Sequence, residues 1–132
     1  MKKILVLSFV LLFCGSTVFA SASRIAETIT TPIAVKNVKT LLDAIIKGCD
    51  DRGWIPSQTG ENEITAILDS RTHQVVVRIT YDKSGYKIIY KDSKNLGYNP
   101  KRNSIHGKYI QWTTNLDKSI KANIDFKKEM GQ

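Results

Sequence analysis

The chain has 132 residues, 42% of them hydrophobic and 24% charged, with 20 Lys and Arg against 12 Asp and Glu for a formal net charge of +8. This is the length of a single domain with one modest core, and the apolar content excludes a disordered polyelectrolyte. The basic excess points to anionic partners rather than cationic ones.

The N-terminus is organised for export. Lys2 and Lys3 precede a ten-residue uncharged run, Ile4 to Phe13, and Val18, Ala20 and Ala22 supply small residues for cleavage after Ala20 or Ala22. A basic start, an apolar middle and a small-residue exit are the parts of a secretory signal peptide. The run falls short of the about 20 residues that a membrane-spanning helix needs. Residues 1–22 therefore read as a signal peptide, and residues 23–132 as one small exported domain in the periplasm. Leu11-Leu12-Phe13-Cys14 also resembles a bacterial lipoprotein signal, with Phe13 where a small residue is usual, so an outer-membrane lipid anchor on Cys14 is the less favoured alternative.

Processing removes two lysines and no acids, leaving 18 basic against 12 acidic residues. Residues 23–82 hold 7 basic and 8 acidic groups, whereas residues 83–132 hold 11 and 4. The second half thus carries the positive charge. Cys49 is the one cysteine after residue 22, so no internal disulfide is expected. Its place on an apolar helical face predicts a buried thiol.

In chain order, residues 21–31 read as a loose lead-in rich in Ser, Thr and Ala, and Ile29 to Val35 as an optional edge strand containing Pro32. Val38, Leu41, Leu42, Ile45, Ile46 and Cys49 share one arc of a 3.6-residue period and predict a helix that Gly53 ends. Trp54 and Ile55 begin a short strand that Pro56 interrupts. Alternation then predicts strands over 63–69, 73–81 and 86–91, with Asp82-Lys83-Ser84-Gly85 as a hairpin turn. Residues 92–103 read as a polar loop. Ser104 is expected to cap a second helix whose stripe is Ile105, Tyr109, Trp112 and Leu116. The expected fold class is α+β: a three- to four-stranded antiparallel meander with two helices on one face, in the order helix, strands, helix.

The stretch Tyr90-Lys91-Asp92-Ser93-Lys94-Asn95-Leu96-Gly97-Tyr98, then Ile105-His106, Tyr109, Trp112, Asn115 and Leu116, resembles small exported proteins and lipoproteins of Gram-negative bacteria. Arg52-Gly53-Trp54 and the alternating strands extend the likeness over most of residues 23–132. The resemblance implies an envelope location and this fold. It implies no activity.

The polar loop is the best candidate site. Asp92, Ser93, Asn95 and Tyr98 offer hydrogen-bonding groups, Lys94, Lys101, Arg102 and Lys108 add charge, and His106 follows closely. The competing reading is a loop that bonds to itself, with Leu96 and Tyr98 pinned to the core. A hydrolase would need Asp92, Ser93 and His106 to converge, but no nucleophile-elbow glycine pattern surrounds Ser93. His73 and His106 lack metal-ligand spacing, and neither a metal nor a cofactor is expected. Tyr81, Tyr86 and Tyr90 fall in the inward phase of their strands, which disfavours stacking on nucleic acid. The expected role is a non-enzymatic binding or adaptor protein for an anionic macromolecule or envelope component. The alternatives are a small hydrolase and a structural subunit of an envelope complex.

Overall fold

A computed structural model describes residues 23–131. The expected signal peptide, residues 1–22, and with it Cys14, lies outside the described residues. The fold is α+β, with element order β1 (Ser23–Ile25), β2 (Ile29–Pro32), α1 (Val38–Asp51), β3 (Ile55–Gly60), β4 (Glu63–Ser70), β5 (His73–Asp82), β6 (Gly85–Lys94), β7 (Ser104–His106) and α2 (Gly107–Glu129). Strands β3 to β6 form the expected antiparallel meander. The sheet has five strands rather than three or four, however, in the order β2-β6-β5-β4-β3, and β1 pairs with β7 in a separate two-stranded sheet. Helix α1 carries the chain from one edge of the large sheet to the other.

Helix α1 matches its sequence signals. Asn37 caps it by accepting the Lys39 N–H at 2.9 Å. Gly53 adopts φ +76°, and its N–H and that of Trp54 return to the carbonyls of Asp50 and Cys49. These bonds help satisfy the last helix carbonyls, that of Cys49 also accepting the Arg52 N–H, and Trp54 is buried in the same core cluster as Cys49.

One core holds the layers together. Leu41, Ala44, Ile45 and Cys49 from α1 join Tyr109, Leu116, Ile120 and Ile124 from α2. The sheet contributes Ile64, Ala66, Leu68, Val75, Val77, Ile79, Tyr81, Tyr86 and Ile88, all from one strand phase, so both helices cover the same face. The helices approach closely at Gly48, where a Cβ would lie 2.6 Å from Ile120 Cγ1 and 2.9 Å from Ile120 N. A second close approach pairs Gly85 with Pro32; a Cβ at Gly85 would meet the Thr31 carbonyl at 2.1 Å. Glycine at the hairpin thus lets β2 join the sheet edge.

Four sequence expectations are corrected. The lead-in is ordered: β1 pairs with β7, and Ala26 is buried. Strand β3 continues through Pro56 because it is an edge strand and can spare one N–H. Strand β6 runs to Lys94, three residues into the expected loop. The register shifts between Val76 and Val77, which pair with Asp92 and Tyr90, leaving Lys91 as the extra residue of a bulge. That extra residue resets the alternation, which is why the sequence reads as a loop there. Lastly, α2 begins at Gly107 with His106 as its N-cap, since Ser104–His106 pair with β1 instead.

Candidate functional site

The candidate residues collect at one end of the molecule, where the β4–β5 turn, the end of β6, the small sheet and the start of α2 meet. The sequence folds the loop over 95–103 by local bonds at both ends. Asn95 adopts φ +58°, a conformation asparagine tolerates better than most residues. Its Nδ2 donates to the Thr72 carbonyl at 2.6 Å, and its own carbonyl accepts from His73 Nδ1 at 2.8 Å. The two bonds tie the end of β6 to the β4–β5 turn. Asn103, at φ +49°, donates to the Ala26 carbonyl at 3.2 Å and returns its own carbonyl to the Ala26 N–H at 2.8 Å. In the middle, the His106 N–H reaches the Leu96 carbonyl at 2.9 Å, and Leu96 is buried.

Aromatic rings secure the same loop from below. Tyr98 stacks on Tyr90 with centroids 4.0 Å apart, and Tyr90 meets Tyr109 edge-on at 5.6 Å. The Tyr98 hydroxyl donates to Asn103 Oδ1 at 3.0 Å. His73 packs at 6.1 Å from Trp112. Burial pushes the Tyr109 hydroxyl to a higher pKa, as do the neighbouring Tyr90 and Tyr98. Among the described residues, that hydroxyl is the one buried side-chain polar atom with no hydrogen-bond partner.

The uncharged and acidic candidates are engaged within the fold. Asp92 Oδ1 accepts the Ser93 N–H at 2.8 Å, and the Ser93 and Tyr90 hydroxyls lie 2.8 Å apart. His106 Nδ1 accepts the Lys108 N–H at 3.1 Å as the helix cap, so the ring proton resides on Nε2. Asp92 bonds to the Ser93 backbone, the Ser93 hydroxyl to Tyr90 and His106 to Lys108, and no hydrogen bond links Ser93 Oγ to His106. Within the loop, Asn95 and Tyr98 bond as the self-bonding expectation has it. Asp92, Ser93 and Lys94, expected in the loop, are strand residues.

The cations behave differently. Lys94, Lys101, Arg102 and Lys108 are exposed, and among the described residues none has a carboxylate within 4.0 Å. Asn99 Oδ1 accepts the backbone N–H groups of Lys101 and Arg102, at 3.0 and 3.4 Å, which sets the tight turn that presents both side chains. Arg71, in the β4–β5 turn with φ +56°, and Arg24, paired across from Ile105, extend the cluster. The first turn of α2 contains no acid, so the positive end of the helix dipole adds to the same field. Arg24, Arg71 and His73 were not among the sequence candidates, because they reach this end only through long-range pairing; Asn103 lies in the expected loop, but its bonds to Ala26 carry no local signal.

Among the described residues, no three His, Cys, Asp or Glu side chains converge to hold a metal ion, and no helix is long and apolar enough to cross a membrane. Cys49 is fully buried and its thiol is pushed up to about 12, by burial first and by Asp50 second. A thiol so protonated is a poor nucleophile. Comparison with protein-family models, curated proteins and solved structures finds no match to this chain.

Proposed function

We propose that this chain is a non-enzymatic periplasmic binding or adaptor protein that contacts an anionic macromolecule or cell-envelope component through its cationic end. The supporting observation is how the cations of that end are presented. Lys94, Lys101, Arg102 and Lys108 are exposed with no carboxylate within 4.0 Å, while the polar groups around them are consumed in holding the loop rigid. Lys36, Lys83, Lys87, Lys91, Lys118 and Lys128 are exposed and unpaired too, so the braced loop, and not the lack of a partner, sets this end apart. Unpaired cations on a fixed scaffold attract anions without first breaking internal bonds.

The export signal in residues 1–22 and the likeness to envelope proteins supply the location in this reading. Affinity capture from envelope extracts tests it. Partners should be recovered at low salt and lost as salt rises, because exposed charges are screened beyond about 10 Å at 0.1 M. The triple variant Lys94→Glu, Lys101→Glu, Arg102→Glu should lose them while keeping its circular dichroism spectrum. Recovery of the same partners by the folded triple variant contradicts the proposal.

A further inference from the structure

The described chain enters the fold at its cationic end. Ser23 pairs with His106, the N-cap of α2, and Arg24 pairs with Ile105. Beside them Ile25 is 50% exposed, an apolar side chain at the same end.

The cations also suit a surface better than a single small anion. They come from separate segments: Arg24 on β1, Arg71 in the β4–β5 turn, Lys94 on β6, Lys101 and Arg102 in a turn, and Lys108 on α2. Their side chains are exposed rather than gathered around a buried cleft. A headgroup layer is a broad array of phosphates, so cations need not converge to meet it. Each basic residue near an anionic bilayer strengthens binding about fivefold.

We infer that the cationic end docks on the phosphate-bearing headgroups of an anionic membrane, with Ile25 entering the interfacial layer. This rests on the reading of that end as the binding surface and narrows its partner to lipid. The chain from Ser23 onward serves for the test, since its core draws only on residues between Ala26 and Ile124. It is sedimented with vesicles of phosphatidylglycerol and phosphatidylcholine, with pure phosphatidylcholine vesicles, and separately applied to heparin beads.

Binding to the anionic vesicles alone is expected. It should weaken as salt rises, fall at least about tenfold in the variant Lys101→Glu, Arg102→Glu, Lys108→Glu, and resist displacement by millimolar inorganic phosphate. Ile25→Ser should lower vesicle binding and leave heparin retention unchanged. Circular dichroism checks each variant, and the single substitution Lys108→Glu replaces the triple one if that fails to fold. Heparin retention without vesicle binding overturns the lipid inference alone, as does displacement by free phosphate. Absence of both interactions overturns the cationic surface as well.

Discussion

Asp117 shows how one residue can fix an edge strand. Its Oδ1 accepts from the hydroxyls of Thr31 on β2, at 2.7 Å, and Tyr86 on β6, while Oδ2 pairs with Lys121 at 3.0 Å. Burial raises the cost of its charge, but the three donors outweigh that cost and hold its carboxyl below the ordinary carboxylate range. The depressed value makes the ionised form a source of stability that is present above the unfolded pKa of about 3.9 and lost as pH falls through the folded one. Wild-type melting temperature should therefore drop as pH is lowered from about 5 toward 3. In Asp117→Asn the melting temperature should be lower at neutral pH and should fall less steeply with acid. Thermal melts across that range check both, and parallel curves for the two proteins would refute the assignment. No sequence pattern marked Asp117, because its partners Thr31 and Tyr86 are 86 and 31 residues away.

Among the elements, contact between the helices depends on Gly48. In an isolated helix, alanine is favoured over glycine by about 1 kcal/mol. Here the added methyl would collide with backbone as well as side chain of Ile120, and overpacking of this kind costs about 1–3 kcal/mol. The clash wins, so Gly48→Ala should lower the melting temperature by about 5 °C or more, with an unchanged fold by circular dichroism. A stabilised Gly48→Ala protein would show that the helices are farther apart. Helix α1 was legible from its apolar arc, and its end from Gly53. The strands with clean alternation were legible too, through β4 and β5. Legibility failed where distant pairing set the structure: Ser23–Ile25 carries no pattern of its own, and Ser104–His106 looked like a helix start until β1 claimed it. The bulge at Lys91 hid the end of β6 in the same way, by shifting the alternation out of phase.

At the scale of the molecule, charge and topology converge. The basic half of the sequence was evident from composition, but its location was not. Folding pairs Lys39, Lys47, Lys121 and Lys127 with acids along the helices; of the many cations left unpaired, Lys94, Lys101, Arg102 and Lys108 surround a braced loop. The sequence named these four cations, together with Asp92, Ser93, Asn95, Tyr98 and His106, as one site. Folding divides them, since the second group anchors and the first remains available. The most direct measurement is an amide NMR titration of the chain from Ser23 with a short anionic polymer such as heparin oligosaccharide. The account predicts shifts confined to the amides of Arg24, Arg71, Lys94, Asn99, Lys101, Arg102, Asn103 and Lys108, vanishing at high salt. Shifts centred on the exposed Phe126 of α2 and its C-cap Met130, or on the bare face of the sheet, would contradict it.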